Sequence, residues 1–273
     1  MRQRYGQNFL IDNNIANNIV NVANLKEQDK VLEIGPGKGI LTKIIQPRVK
    51  QLIAVEIDSA LFYQLYYYFL FLNIKNVEII NKDFLKYDLM SLCPNIIKNL
   101  HKQENNFKII SNLPYATGTA IIQKILPFKN WDAAVFMLQK EVAQRLVAQP
   151  CSGKNYGYIS VFISYYTNSK ILFDVSPKCF NPRPKVVSSV VKLINKKPKY
   201  PELIFFDLVK HIFSMRRKTI LNGLSSFRSL GRERSEKILK SCKLDIFLRA
   251  DNLSTLDFIL LTKKMQEYKI HHV

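Results

Sequence analysis

Between Lys30 and about Lys140, short apolar runs alternate with stretches of helical length, and that alternation constrains the fold more than any other feature of the chain. Val31-Leu32-Glu33-Ile34, Leu52-Ile53-Ala54-Val55, Val77-Glu78-Ile79-Ile80, residues 108–111 and residues 133–138 read as strands, with helices over 40–45 and 59–72 between the first of them. Strands that are apolar throughout are buried on both faces, and helical connections return each strand parallel to the last. The pattern therefore predicts a doubly wound parallel sheet. A helix-like stretch over 159–166 follows Gly157, and two β-rich runs over 171–175 and 186–194 are expected to close the sheet as an antiparallel edge pair. The polar, proline-punctuated run Asn195-Lys196-Lys197-Pro198-Lys199-Tyr200-Pro201 predicts a boundary. Beyond it, residues 203–213, 217–224, 233–242 and 255–268 carry helical periodicity. The expected organisation is an α/β catalytic domain over 1–197 and a smaller all-helical domain over 198–273.

With 273 residues, 47% of them apolar, the chain can bury a large core. No apolar run reaches the roughly 18 residues of a membrane span. The nearest, residues 61–72, is rich in Tyr and Phe and is expected to be a buried helix. Met1-Arg2-Gln3-Arg4-Tyr5-Gly6 has no apolar signal-peptide core, so the expected location is the cytoplasm. Cys93, Cys151, Cys179 and Cys242 form no Cys-x-x-Cys pair, which argues against a zinc site or a disulfide framework and for reduced, structural thiols. Forty-one basic residues oppose 21 acidic ones, a net charge of +20. The excess is 27 against 13 up to residue 199 and 14 against 8 beyond it, so it covers both parts instead of forming a tail. A polyanion partner such as nucleic acid fits, since each phosphate contact releases counterions. Enrichment in Lys, Asn and Ile as plain compositional drift would also raise the charge.

Glu33-Ile34-Gly35-Pro36-Gly37-Lys38-Gly39 lies between the first strand and the first helix. Its spacing is G-x-G-x-G, and Ile40 stands where the dinucleotide fingerprint G-x-G-x-x-G needs glycine. That argues for S-adenosylmethionine over a nicotinamide cofactor. Glu56 ends the second strand, 21 residues after Gly35, where a carboxylate can bond a ribose diol. Asp83 follows the third strand, where a carboxylate can accept from an adenine amino group. Each has an ordinary alternative, a turn or a helix cap. The glycines, Glu56 and Asp83 at three successive strand ends nonetheless converge on the one crevice that a doubly wound sheet provides.

Asn112-Leu113-Pro114-Tyr115 follows the fourth strand and opens into the same crevice. A base amine is a poor nucleophile because its lone pair is delocalised into the ring. Accepting hydrogen bonds from that amine, through the Asn112 side chain and the Leu113 carbonyl, favours a tetrahedral nitrogen whose lone pair can meet a methyl group. Tyr115 can hold the base by stacking, though an aromatic there also serves as ordinary core. Catalysis of this kind rests on positioning and electrostatics, and a paired base must first be flipped out.

Taken together, these motifs closely resemble the KsgA (RsmA) family of ribosomal RNA adenine dimethyltransferases, nearly end to end. Gly6-Gln7-Asn8-Phe9-Leu10 resembles the family's N-terminal cofactor motif, the segment from Glu33 to Gly39 its glycine loop, and Asn112 to Tyr115 its catalytic motif. Leu138-Gln139-Lys140-Glu141-Val142 with Arg145-Leu146 matches the segment after the next strand. Phe180-Asn181-Pro182-Arg183-Pro184-Lys185-Val186 resembles the later aromatic loop, and Phe213 with Arg216-Arg217-Lys218-Thr219-Ile220 a basic helix of the C-terminal domain. The resemblance implies a Rossmann-like methyltransferase fold and two successive methyl transfers from S-adenosylmethionine to each of two adjacent adenines, in a hairpin near the 3′ end of small-subunit ribosomal RNA. It implies that Asn8, Leu10, Gly35, Glu56, Asp83 and Asn112 line the cofactor site, with Gly37 and Gly39 in the same loop. It implies that Tyr115 and Phe180 sandwich the target adenine beside Asn112, Leu113 and Pro114. It further implies a monomer that meets its RNA in a pre-ribosomal particle, with a role in small-subunit biogenesis. One departure stands out: Ala116 occupies the position after Tyr115 where the family usually has Asn. A large-subunit RNA adenine methyltransferase of the antibiotic-resistance type is the nearest alternative, although such enzymes tend toward Asn-Ile-Pro-Tyr. A non-catalytic assembly factor and a DNA amino-methyltransferase are the others.

Overall fold

The computed structural model describes residues 8–92, 107–198 and 203–267. Gly6 and Gln7 of the N-terminal motif, the preceding 1–5, Cys93, residues 199–201 of the expected linker and Tyr268 lie outside the described residues. The strands are β1 (Phe9–Leu10), β2 (Lys30–Ile34), β3 (Gln51–Glu56), β4 (Val77–Asn81), β5 (Phe107–Asn112), β6 (Trp131–Gln139), β7 (Thr167–Val175), β8 (Phe180–Asn181) and β9 (Ser188–Asn195). The helices are α1 (Asn13–Val22), α2 (Ile40–Ile45), α3 (Ser59–Phe71), α4 (Gly118–Ile125), α5 (Lys140–Val147), α6 (Tyr158–Tyr166), α7 (Leu203–Ser214), α8 (Ile220–Ser226), α9 (Arg232–Ser241) and α10 (Thr255–Glu267).

Seven strands form one sheet in the order β4-β3-β2-β5-β6-β9-β7. β4, β3, β2, β5 and β6 pair in parallel, and β6 pairs with β9 antiparallel. β2 and β3 are buried over nearly their whole length, as their mainly apolar runs require when helices cover both faces, Glu33 of β2 being the buried exception. The two late strands do close the edge, with β9 next to β6 and β7 outermost. From β2 the chain winds outward through β3 and β4, and from β5 it winds the other way through β6. The direction reverses between β2 and β5, and a crevice opens outside the carboxyl ends of the strands at such a reversal.

The polar sequence Asn13-Asn14-Ile15-Ala16-Asn17-Asn18-Ile19-Val20-Asn21-Val22 forms α1, with no strong helix former but Ala16. Asp12 caps it by accepting from the Asn14 and Ile15 N–H groups (2.9 and 3.1 Å), and Ala16, Ile19 and Val20 bury one stripe. That stripe joins Leu10, Leu52, Ile110, Met137 and Phe180 in a core cluster. The expectation of a buried helix over 61–72 is corrected. α3 flanks the edge of the sheet and buries Leu65 and Phe69, while Tyr63, Tyr67 and Phe71 are 53, 59 and 91% exposed. A helix at a sheet edge has a partner on one side and can bury one stripe, whatever its remaining residues are.

The chain divides into two compact units, 1–143 with 168–195 and 144–167 with 196–273. This differs from a single cut at residue 197, because residues 144–167 group with the C-terminal helices. The cause is aromatic packing: Phe162, Tyr165 and Tyr166 of α6 meet Phe205 and Phe206 of α7, with ring centroids 4.6–5.7 Å apart for Phe162–Phe206, Tyr165–Phe205 and Tyr166–Phe206. Within the second unit Tyr156 Oη donates to the Leu253 carbonyl (2.7 Å) and Arg216 Nη2 to the Gly153 carbonyl (2.5 Å). The expected helix start at Arg217 is also corrected. Arg216, Arg217 and Lys218 lie in a turn, and α8 begins at Ile220, where Thr219 Oγ1 accepts from the Asn222 N–H (3.4 Å) as cap. Among the described residues no helix is long and apolar enough to cross a membrane.

Candidate active site

Where β2, β3 and β5 end side by side, the first unit carries a crevice with about 740 Å³ of unfilled space, its open mouth included. Its walls include Asn8, Leu10, Glu33, Gly35, Gly37, Glu56, Asn112, Leu113, Pro114 and Tyr115. One side descends from β2 and β3, the other from β5.

On the first side the glycine loop turns back over the end of β3. Gly35 N–H donates to the Val55 carbonyl (2.9 Å) and Gly37 N–H to Glu56 Oε2 (2.9 Å). The Asp58 N–H donates to Glu56 Oε1 (2.9 Å). Glu56 thus clamps the glycine loop to the start of α3 and lines the crevice at the same time. Burial raises its pKa, opposed by these backbone N–H groups. Gly37 has φ +59°, and a Cβ there would come within 3.2 Å of the Phe9 ring, so glycine lets β1 close over the loop. Gly39 is not on the crevice wall: it caps α2 at φ +80°, and a Cβ there would lie 2.4 Å from Leu65 Cδ2 of α3. Its absence of side chain serves helix packing.

Glu33 has a role that sequence reading missed. It is 1% exposed at the end of β2, lines the crevice, and burial pushes its pKa up to about 8. The Glu56 charge adds to the rise. Among the described residues neither Glu33 Oε2 nor Thr42 Oγ1 has a hydrogen-bond partner. A buried carboxyl oxygen without a partner is costly, and a ligand in the crevice could satisfy it. The one available sequence signal was a charged residue inside an otherwise apolar strand.

On the β5 side, Asn112 Nδ2 donates to the Asn8 carbonyl (3.4 Å). A carbonyl can accept only from the amide nitrogen, which leaves Asn112 Oδ1 as an acceptor. Leu113 is buried and its N–H donates to the Met137 carbonyl (3.0 Å). Thr117 and Gly118 N–H groups both donate to the Pro114 carbonyl (3.2 and 2.8 Å), closing the turn that presents Tyr115. The Tyr115 hydroxyl lies 2.9 Å from Ser188 Oγ. Ala116 is exposed on this turn.

Two expected residues are not brought to the crevice wall. Asp83 accepts from the Leu85 N–H through Oδ1 (2.9 Å) and so caps its own turn. Phe180 is 4% exposed; it pairs with Leu10 in the β1–β8 ribbon, and its ring belongs to the core cluster. A sandwich of a base between Tyr115 and Phe180 therefore requires the Phe180 ring to leave that cluster.

A doubly wound sheet whose reversal point holds a glycine loop, buried carboxylates and an Asn-Leu-Pro-Tyr turn defines a Rossmann-like methyltransferase. The sequence model described as ribosomal RNA adenine dimethylase matches residues 1–267, and the chain belongs to that family. Ribosomal RNA small subunit methyltransferase A from Alkaliphilus metalliredigens is 40% identical over 266 residues, covering 95% of this chain and 90% of the relative. Its namesake from Alkaliphilus oremlandii is 42% identical over 271 residues, with the same coverage of 95% and 90%. Among solved structures, a dimethyladenosine transferase from Plasmodium falciparum superposes with a TM-score of 0.83 at 24% identity, over 97% of this chain and 100% of that one. The 23S rRNA methyltransferase ErmE gives 0.69 at 23% identity, over 95% and 100%. At these identities the two structures bear on the fold.

Proposed function

We propose that this chain uses S-adenosylmethionine to dimethylate the 6-amino groups of two adjacent adenines in the 3′-terminal hairpin of small-subunit ribosomal RNA. The observation that carries the reading is the meeting, in one crevice, of two buried carboxylates beside a glycine loop with the Asn112 amide and the Tyr115 ring. The small-subunit relatives at 38–42% identity favour this acceptor over large-subunit RNA.

The residues that line the crevice suit the donor. Glu33, whose Oε2 has no hydrogen-bond partner among the described residues, and Glu56 both line the crevice, and a cationic ligand there favours the ionised form of each. Gly35 lines the crevice with no atom within 4 Å of where a Cβ would stand, leaving room for close approach. When bound, S-adenosylmethionine supplies an electrophilic methyl on a sulfonium. Asn8, Leu10, Gly35, Gly37 and Glu56 would hold it. Asn112 Oδ1 and the Leu113 carbonyl accept the two hydrogens of the adenine amine, Pro114 fixes the turn, and Tyr115 packs on the base. The amine's lone pair is thereby freed toward the methyl, and the proton leaves readily once nitrogen carries the new bond. No strong general base is required. Asp83 and Phe180 join this site only if their present contacts open on binding. Gly39 acts beneath it.

The net charge of +20 suits RNA. The enzyme acts as a cytoplasmic monomer on a pre-ribosomal particle, with the compact unit 1–143 and 168–195 catalytic and the C-terminal helices contributing to docking. The test is mass spectrometry of small-subunit and large-subunit RNA after incubation with enzyme and labelled S-adenosylmethionine. Dimethyladenosine at two adjacent positions of small-subunit RNA is expected. Label confined to large-subunit RNA would overturn the acceptor, and binding to subunits with no transfer would make the protein an assembly factor.

A further inference from the structure

We propose that Ser188 is a positioning residue for methyl transfer, fixing the direction of the Tyr115 ring through its hydroxyl; this rests on the reading of Tyr115 as the base-packing ring. Ser188 is fully buried at the first position of β9, and its Oγ lies 2.9 Å from Tyr115 Oη. A phenol oxygen sits on the long axis of its ring. Tethering that oxygen leaves rotation about the axis but fixes where the axis points, which decides whether a ring face borders the crevice.

The tether is anchored at one end and needed at the other. Ser188 pairs with Gln139 in the β6–β9 ladder, and Lys140 N–H donates to the Val187 carbonyl beside it (2.9 Å). Alternation along a strand sends the next residue to the opposite face. There Ser189 Oγ donates to Asp174 Oδ1 and Lys140 Nζ to Asp174 Oδ2, both at 2.6 Å. Tyr115, by contrast, is half-buried on a turn whose following residue, Ala116, has no polar side chain to hold it. The restraint on the ring comes from β9.

The experiment uses the full chain with small ribosomal subunits lacking the modification, and compares wild type, Ser188→Ala, Tyr115→Phe and the double variant. Each single change is expected to lower kcat/KM for RNA about tenfold, the scale of one lost hydrogen bond with its orientation. Affinity for S-adenosylmethionine, by calorimetry, should stay within about twofold, and the double variant should be no worse than either single, because one contact is lost in all three. Multiplying losses, or a Ser188→Ala enzyme with wild-type kcat/KM, would overturn the proposal. Should Ser188→Ala fail to fold, Tyr115→Phe breaks the same bond without touching β9, and wild-type turnover there overturns it equally. Ser189→Ala, on the opposite face, should lower the melting temperature without lowering kcat/KM tenfold; an equal loss would mean β9 acts through its general integrity. If wild type labels large-subunit RNA instead, the acceptor assignment falls, and the same four proteins decide the Ser188 proposal on that RNA.

Discussion

On the β2–β3 side of the crevice the buried polar side chains are carboxyls, Glu33 and Glu56, both 1% exposed, with the exposed Lys38 of the glycine loop also on the wall. On the β5 side they are neutral: the Asn112 amide, the Leu113 carbonyl and Tyr115, whose hydroxyl meets Ser188. Buried carboxyls await a cation, and their affinity for one depends on pH. Neutral acceptors orient an amine without competing for its proton. The two walls should therefore fail differently when altered.

The largest effect is expected on the neutral side. Asn112→Ala should lower methyl transfer by about 10²–10³-fold, the scale of removing one preorganised polar group from a reacting centre, while calorimetric affinity for S-adenosylmethionine changes little. Turnover near wild type would refute the amine clamp. Next comes Glu56→Ala, which should weaken cofactor binding by roughly 1–3 kcal/mol. It should also lower the melting temperature without ligand, since the Gly37 and Asp58 N–H groups lose their acceptor; unchanged affinity would reduce Glu56 to a structural clamp.

Glu33 separates the walls by pH. Its carboxyl keeps a proton to about pH 8 in the folded chain, whereas an ordinary Glu releases it near 4.5. Between those limits the folded protein binds more protons than the unfolded one, so the contribution of this residue to stability falls as pH rises through the window. A cationic ligand reverses the preference: its affinity should rise by about tenfold between pH 6 and 8, with proton release visible in buffers of different ionisation enthalpy. Glu33→Gln should abolish both trends, and a Glu33→Gln enzyme with the wild-type pH profile would assign the proton elsewhere. The smallest effect on activity belongs to Gly39→Ala. It should cost about 1–3 kcal/mol of stability through its positive φ and the Leu65 clash, with cofactor affinity close to wild type. A large affinity loss would restore Gly39 to the binding loop.

The parallel strands were legible because burial on both faces leaves an unbroken apolar run, as in Leu52-Ile53-Ala54-Val55. The glycine loop and the Asn112 turn were legible because their chemistry needs particular residues at fixed spacing. α1 was not, since its apolar stripe is hidden among asparagines and its stability comes from the Asp12 cap and the core behind it. Nor was the β1–β8 ribbon, whose two-residue strands carry no periodicity. At Asp83 and Phe180 residue type and position were in order, but Asp83 bonds the local Leu85 N–H and Phe180 packs in the core cluster, contacts that the sequence does not show. Arg216-Arg217-Lys218 read as helix because nothing in the run marks the Thr219 cap as the true start.

The β1–β8 ribbon joins Leu10 to Phe180, and this orders events during synthesis. β2 to β6 and the helices between them can assemble as soon as they are made. Asn8 and Leu10, which line the crevice, gain their strand partner only after residue 181 has emerged. Contacts between such distant parts of a chain form late. A nascent chain of this protein can thus pair β2 to β6 before the crevice gains its β1 wall, and it completes the ribbon and the sheet together, with β8 and β9.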